Sequence, residues 1–301
     1  MPAPTEPASP SVLILGIAQD AGYPQAGCRR PCCAPAWSDP ARRRHAACAA
    51  VVDPASGARW MIDATPDFRE QLRMLDDLAP APDDAGSPGL AGIFLTHGHI
   101  GHYTGLMHLG REAMGARGVP VYAMPRMAAF LIANHPWAEL VQGGTIVLHD
   151  LQADITVGAA PGLSLIPFLV PHRDEHTETV GFRIQGPNRQ VLYLPDIDAW
   201  EAWDARGMRI EDVLAAADVA LLDGTFFTAD EVPGRSLATV PHPLIEATLR
   251  RLAALPAAER CKVRFIHMNH SNPALVPDGA AARAIAAAGC GLARERERIA
   301  L

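Results

Sequence analysis

Three histidines follow an apolar segment of the chain within six residues. The segment 96–102, Thr-His-Gly-His-Ile-Gly-His, contains His97, His99 and His102 around two glycines. A turn that contains glycine allows such side chains to converge on one point. Neutral imidazole is a good ligand for zinc, iron or manganese at neutral pH. The spacing therefore predicts a metal site, and a polar loop with unrelated histidines is the alternative.

A cluster of cysteines is the second group with chemical potential. Three of the six cysteines, Cys28, Cys32 and Cys33, lie within six residues of one another. In a cytoplasmic protein this clustering favours metal ligation over disulfide bonds. Three thiols can cover one face of a tetrahedral zinc, so a fourth ligand must come from elsewhere. Unpaired cysteines without a metal are the alternative.

Charge and composition limit the possible partners. The 301 residues include 26 Lys and Arg against 33 Asp and Glu, which gives a net charge of -7 and excludes a strongly basic protein that coats nucleic acid. A hydrophobic content of 49% is typical of a globular protein. No apolar run reaches the ~18 residues of a membrane-spanning helix. We expect a cytoplasmic protein that binds a small molecule, neither nucleic acid nor membrane, and a homodimer stays open.

The predicted strands place residues of ligand type in loops. Three strands end at His172, Asp196 and His267, as the strand before His97 does. Early paired strands and later strands alternating with helices favour two sheets with helices outside. We expect a disordered leader at residues 1–10 and a single domain at 11–301, with a cysteine-rich zinc loop at about 24–37. Strands are predicted at 11–16, 49–53, 59–63, 89–96, 119–123, 145–148, 163–170, 179–184, 190–194, 219–222 and 263–266, and helices at 67–78, 105–116, 126–134, 210–217, 243–254 and 280–288.

The histidine segment resembles the His-x-His-x-Asp-His loop of the metallo-β-lactamase fold hydrolases. The resemblance implies an α/β (α+β) fold, a four-layer αββα sandwich with two metals between its sheets. It also implies two ligand sets, namely His97, His99 and His172 for the first site, and His102, Asp196 and His267 for the second, with Asp196 as the bridge.

Gly101 departs from this family pattern, because it stands where the family has the loop aspartate. Glycine supplies no ligand, so the second site is expected to be weaker or empty unless another group replaces the carboxylate. Asp198, His176 and His242 are the candidates for that replacement. At least one catalytic ion is therefore expected, and Gly101→Asp is expected to raise the occupancy of the second site.

Five further segments resemble the pyrroloquinoline quinone biosynthesis protein B group of this superfamily: 15–25, 65–67, 195–196, 223–226 and 265–273. That group and a related cyclic phosphodiesterase of a phosphonate pathway carry a cysteine cluster in the loop after the first strand. In the phosphodiesterase the fourth ligand is a histidine three residues past the last catalytic histidine. His270 matches that position, so the resemblance implies a structural zinc held by Cys28, Cys32, Cys33 and His270.

A metal-dependent hydrolase is the first function that these residues suggest. An ion of the zinc class lowers the pKa of bound water towards about 7 and polarises a scissile carbonyl or phosphoryl oxygen. Asp196 would orient the water and accept its proton, and His242 would assist the leaving group. Asp20 and His176 would contact the substrate, which would be an ester, a lactone or a phosphodiester.

Two other functions stay open. The resemblance also implies an iron-dependent oxidative enzyme of cofactor biosynthesis, with His97, His99 and Asp196 as a two-histidine, one-carboxylate set. The missing loop aspartate favours a non-catalytic binding or carrier protein on the same fold. We expect one structural zinc and one or two catalytic ions, with iron or manganese as alternatives to zinc at the catalytic site.

Overall fold

Two seven-stranded sheets form the interior of the described residues, which are 9–81, 87–231 and 240–301 of this computed structural model. In the first sheet the order is β14-β1-β2-β3-β4-β5-β6, and in the second it is β13-β12-β11-β10-β9-β8-β7. The strands are β1 (Ser11–Gly16), β2 (Cys48–Asp53), β3 (Ala58–Ile62), β4 (Gly92–Phe94), β5 (Val119–Ala123), β6 (Ile146–Asp150), β7 (Val157–Ala160), β8 (Leu163–Leu169), β9 (Val180–Gln185), β10 (Gln190–Leu194), β11 (Val219–Asp223), β12 (Val263–Ile266), β13 (Gly291–Leu292) and β14 (Arg298–Ala300).

Helices connect these strands and cover the sheets. They are α1 (Ala34–Ser38), α2 (Phe68–Leu78), α3 (Ile100–Tyr103), α4 (Pro125–Ala133), α5 (Trp137–Gln142), α6 (Trp200–Asp204), α7 (Ile210–Ala216), α8 (Ile245–Leu252), α9 (Ala257–Arg260) and α10 (Ala280–Ala287). Short 3-10 helices occupy Pro40–Arg42, Thr104–Leu109, Ala229–Glu231 and Pro273–Leu275. None of the helices in the described ranges combines the length and apolar character needed to cross a bilayer.

Alternation along β1 shows how the layers are built. Val12 and Ile14 belong to the apolar cluster shared by the two sheets, whereas Leu13 and Leu15 belong to the cluster between the first sheet and its helices. Successive side chains of a strand point to opposite faces, so a fully buried strand must be covered on both sides. The predicted four-layer αββα sandwich is confirmed.

Parallel pairing places several polar residues at the same ends of the sheets. Strands β3 to β6 are parallel, as are β10 to β13. Ligands of α/β sheets bind outside the carboxyl ends of parallel strands. Those ends lead here to polar residues that lie at the end of a strand or within three residues after it, namely Asp63, His97, Asp196, Asp223 and His267.

Tertiary contacts change two of the predicted elements. The helix predicted at 105–116 is wrong, because a 3-10 helix replaces it over Thr104–Leu109 and turns follow. The Gly105 amide donates to the Ala64 carbonyl, and this contact holds the segment against the first sheet. The strand predicted at 89–96 covers only Gly92–Phe94, since the Thr96 amide donates to the Asp63 carboxylate.

Short elements without clear periodicity were missed by the sequence patterns. They include α5, α6, β7, β13 and β14. Most of the leader predicted at residues 1–10 lies outside the described residues.

Candidate metal centre

The three histidines predicted as the first ligand set lie close together. His97 and His99 lie in the loop between β4 and α3, and His172 lies in the loop after β8. His97 Nε2 is 2.9 Å from His99 Nδ1, and His172 Nε2 is 3.2 Å from the same Nδ1. One nitrogen of each ring thus faces a common point.

The second set brings His102, His267 and Asp196 together. Asp196 Oδ2 is 3.3 Å from His102 Nε2 and 3.4 Å from His267 Nε2. Its other oxygen, Oδ1, is 3.6 Å from His172 Nε2 in the first set. Asp196 therefore presents one oxygen to each set, as a bridging carboxylate must.

The donor spacing fits metal ions. Tetrahedral donors about 2.0–2.1 Å from a zinc ion lie about 3.3 Å from one another, which is close to the separations in both sets. His102 Nε2 and Asp196 Oδ2 are buried and make no hydrogen bond within the described residues. Buried polar atoms without partners are costly, and a cation would satisfy both.

Neighbouring side chains fix which nitrogen of each ring faces the centre. Asp63 Oδ2 is 2.7 Å from His102 Nδ1, and Thr225 Oγ1 is 2.9 Å from His267 Nδ1. Asp198 Oδ1 lies 3.0 Å from His172 Nδ1. Partners of this kind set the orientation of metal-binding histidines. His267 also has a left-handed backbone, with φ of 64°, a conformation that persists only where the surroundings impose it.

Two of the three histidines of the first set, His97 and His99, have lowered pKa values that favour binding of a cation. Burial and the neighbouring His172 and Arg173 lower the pKa of His99 to about 4. Burial, together with His102, lowers the pKa of His97 well below its usual value. Both rings are therefore neutral at pH 7, which is the protonation state that ligates metals.

The charges of the second set are mutually dependent. Burial lowers the pKa of His102, but the carboxylates of Asp63 and Asp196 outweigh it and raise that pKa well above its usual value. Burial by itself raises the pKa of Asp196, yet the rings of His267 and His102 outweigh it and hold that pKa below its usual range. A metal that binds here must displace the His102 proton.

Asp20 lines a cavity beside the first ligand set, where a substrate contact was predicted, and it also reaches the second set. Its Oδ1 is 3.2 Å from His102 Nε2 and 3.2 Å from His267 Nε2, within the second set. Of the three candidates for replacing the loop aspartate, His242 groups with Asp196 and His172 as a possible ligand set and is also hydrogen-bonded to Asp223. Asp198 is beside His172, and His176 is exposed.

The space at Gly101 contradicts the expectation for Gly101→Asp. A Cβ on Gly101 would lie 2.5 Å from both Cα and Oδ1 of Asp20. Backbone atoms cannot yield to such an overlap as a flexible side chain can. A new aspartate would therefore displace Asp20 rather than add a carboxylate to the site, and the expected gain in occupancy is wrong.

A separate cluster contains the predicted cysteines. Cys33 Sγ lies 3.2 Å and Cys32 Sγ 3.8 Å from His270 Nδ1, and Cys28 Sγ is 3.9 Å from Cys32 Sγ. All three cysteines are free of disulfides. Burial raises the pKa of Cys33 to about 12, so this thiol ionises only when a cation replaces its proton. The four residues can close a tetrahedral zinc site.

His242 and Asp223 form a buried pair beside the centre. His242 Nδ1 is 2.7 Å from Asp223 Oδ2 and 3.2 Å from Thr225 Oγ1. The opposite nitrogen, Nε2, is buried and has no hydrogen-bond partner among the described residues. The His242 ring is 5.3 Å from the ring of His172. Burial lowers the pKa of His242, but Asp223 outweighs it and raises that pKa.

A cavity of about 340 Å³ opens beside the first ligand set. Ile100, Tyr103 and Phe130 supply apolar walls, and Arg173 supplies a cation. Arg173 Nε is buried without a hydrogen-bond partner in the described part of the chain. His176 also lines the cavity, in keeping with its predicted place near the substrate.

Sequence patterns missed four supporting residues: Asp63, Thr96, Asp223 and Thr225. They lie at the ends of strands parallel to those that carry ligands, so their role depends on strand order rather than on spacing along the chain. A polar residue at the end of an apolar strand was the available signal. It is present at Asp63 and Asp223.

Comparisons with known proteins agree with this geometry. The family described as Beta-lactamase superfamily domain matches residues 58–293. Coenzyme PQQ synthesis protein B of Xanthomonas axonopodis pv. citri is 31% identical over 298 residues, which are 91% of this chain and 95% of that protein. A protein with the same name from Methylorubrum extorquens is 28% identical over 308 residues, 94% and 97% of the two chains.

Two solved structures share the fold along almost the whole chain. Zinc-bound PqqB from Methylobacterium extorquens has a TM-score of 0.79 and 25% identity, over 97% of this chain and 100% of that one. A diphosphatase from the PhnP family has a TM-score of 0.65 and 24% identity, over 97% of each chain. The second likeness concerns the fold alone.

Proposed function

The chain belongs to the β-lactamase superfamily and, within it, to the group of the coenzyme PQQ synthesis protein B relatives. From the geometry of its candidate metal centre, we propose that it is a metal-dependent hydrolase. The proposed substrate is a small ester, lactone or phosphodiester. The proposed catalytic ions are zinc, held by the two histidine sets and Asp196. When bound there, such an ion supplies an activated water and polarises the scissile oxygen.

The buried Nε2 of His242 is the observation that favours hydrolysis. A nitrogen of this ring lies within 4.8 Å of ligand atoms of His172 and Asp196, so it faces the place where a substrate would react. Asp223 holds the opposite nitrogen and stabilises the protonated ring. A proton donor at this position serves a reaction in which a leaving oxygen acquires negative charge.

The chain's own residues account for both proton transfers of hydrolysis. Asp196 accepts a proton from water as the water oxygen bonds to the phosphorus or carbonyl carbon. His242 donates its Nε2 proton to the leaving oxygen as the bond between that oxygen and the phosphorus or carbon breaks. Product release and exchange with solvent then return both groups to their starting states.

His242→Ala is expected to lower hydrolysis of methyl phenyl phosphate by about 10²–10³-fold. Methyl p-nitrophenyl phosphate should lose less than about tenfold, because p-nitrophenolate leaves without a proton. Steady-state kinetics with the two substrates measures the difference. Metal content should stay unchanged, since His242 is proposed as a proton donor and not as a ligand.

The matched control is His135→Ala, which removes an exposed histidine far from these ligand sets in sequence. It should leave both rates unchanged. Equal losses for the two substrates in His242→Ala would contradict the role as a proton donor. A loss of metal would instead identify His242 as a ligand.

Arg173 favours an anionic substrate among those proposed. Arg173 lines the cavity beside His99, and a guanidinium is well suited to bind a phosphate oxygen. Arg173→Met should raise KM for the phosphodiester by about tenfold or more and leave KM for neutral p-nitrophenyl acetate within about twofold. Equal changes for the charged and neutral substrates would exclude recognition of the anion.

An iron-dependent oxidative enzyme of cofactor biosynthesis is the second candidate, and the names of the relatives support its part in cofactor biosynthesis. Several are coenzyme PQQ synthesis proteins, so a role in making a redox cofactor is supported by similarity. The two proposals differ in metal and co-substrate. Iron in protein purified without added metal, with oxygen uptake on adding substrate, would favour oxidation, whereas zinc and oxygen-independent turnover would favour hydrolysis.

A further inference from the structure

We propose that Asp20, from the loop after β1, supplies the carboxylate that the histidine loop lacks at Gly101, and that the second metal site is therefore complete. The site would contain two histidines, His102 and His267, and two carboxylates, Asp20 and Asp196. This inference rests on the metal centre of the proposed function, but it concerns ion binding and requires no particular reaction.

Donor separations support a four-ligand site. Asp20 Oδ1 and Asp196 Oδ2 each lie 3.2–3.4 Å from both histidine nitrogens. Tetrahedral zinc with bonds of about 2.0–2.1 Å requires separations of about 3.3 Å. Asp20, His102 and His267 also have donor atoms that all lie within 4.8 Å of one another.

Gly101 leaves room for Asp20 because it has no side chain. It lies in α3 and its φ is not in the left-handed region, so its backbone conformation does not demand glycine. The space does demand it, because a Cβ would overlap Cα, Cβ and Oδ1 of Asp20 at 2.5–2.6 Å. The absence of a side chain at position 101 therefore leaves the space that the Asp20 carboxylate occupies.

The backbone holds Asp20 against the histidine that it is proposed to join. The Met268 amide donates to the Ile17 carbonyl, and the Gln19 amide donates to the Met268 carbonyl. These bonds join the residues just before Asp20 to the residue just after His267. The carboxylate is thus positioned by main-chain pairing with the segment that carries a ligand, as a preorganised site requires.

Charge also favours a carboxylate at this place. Two divalent ions close together repel each other, and anionic ligands reduce that repulsion. With glycine at 101 and a neutral residue at 20, Asp196 would be the one carboxylate among the donors assigned here to the two ligand sets. Asp20 restores the second negative charge.

The test counts zinc by equilibrium dialysis and elemental analysis. The wild type is expected to hold about three ions per chain, one at the cysteines and two at the histidine sets. Asp20→Ala and the isosteric Asp20→Asn should each lose one ion, with affinity for it reduced at least about 10²-fold. Asp174→Asn, which removes an exposed acid near the cavity, is the matched control and should keep all three.

Substitutions at Gly101 test its pairing with Asp20. Gly101→Ala and Gly101→Asp should each lose the same ion, because a Cβ at position 101 overlaps Cα and Oδ1 of Asp20 and so displaces its carboxylate. The d–d absorption of cobalt-loaded protein gives an independent measure of the ligand set.

Three wild-type ions that persist with unchanged affinity in both Asp20 variants would overturn the proposal, as would a wild type with only one ion outside the cysteines. Circular dichroism verifies that each variant is folded, and Asp20→Asn preserves side-chain shape. Because no substrate is used, a failed hydrolysis assay leaves this result intact. A failed metal count equally leaves hydrolysis with one ion possible.

Discussion

Replacing His172 with alanine is expected to remove one ion and lower hydrolysis at least about 10³-fold while both sheets stay folded. His172 Nε2 is one of three nitrogens that face the first ion position, so its removal leaves that position with two histidine donors. A bound metal lowers the barrier by several kcal/mol, and about 4 kcal/mol corresponds to that factor. Metal analysis and kinetics measure the two losses.

Preservation of the fold follows from where His172 lies. It occupies a loop after β8, whereas the apolar contacts between the sheets come from the strands themselves. Circular dichroism should match the wild type, and His135→Ala should retain metal and activity as the matched control. An unfolded His172→Ala would show that the ion, rather than the sheets, maintains this end of the sandwich.

Cys32→Ser is expected to release about one zinc and destabilise the protein. The loop around the cysteines contributes a small apolar cluster, Ala18, Tyr23, Cys33 and Ala36, so it has little other means of holding itself. Structural zinc contributes about 10 kcal/mol or more in small domains. If the loss of zinc lowers the free energy of global unfolding by about 3 kcal/mol, the melting temperature should fall by roughly 5 °C.

Activity should fall as well, although Cys32 is not a proposed catalytic ligand. His270 joins the cysteines three residues beyond His267, so release of the zinc frees the segment that carries a ligand. A loss of about 10–100-fold is expected, as for other residues that orient metal ligands. Cys261→Ser is the matched control, because that cysteine is exposed and outside the cluster. An unchanged zinc count would show that Cys32 is not a ligand.

The strand-end histidines illustrate what sequence can predict here. His97, His172 and His267 follow apolar runs, and a strand that ends at a ligand places it at the edge of a sheet. Asp63 follows the same rule, yet its role depends on β3 lying beside β4, and strand order is not written in local spacing. Such supports are found only when the pairing of strands is known.

Asp20 shows a second reason why sequence patterns fall short. Its position was predicted to be near the site, but a ligand motif is defined by spacing along one loop, and Asp20 lies about 80 residues before His102. Only the overlap with Gly101 shows that both compete for one volume. A ligand that is missing from one loop can thus be supplied by a residue of a distant segment, and the spacing of a motif along one loop does not reveal this replacement.

The segment from His267 to His270 links the two candidate metal positions mechanically. It carries one donor for each, His267 and His270, and Met268 between them pairs with Ile17 and Gln19. Because the two donors are three residues apart, a shift of either one is transmitted along this short stretch of main chain to the other. Occupancy of one position is therefore expected to change the affinity of the other, so titrations of the two ions should show cooperativity.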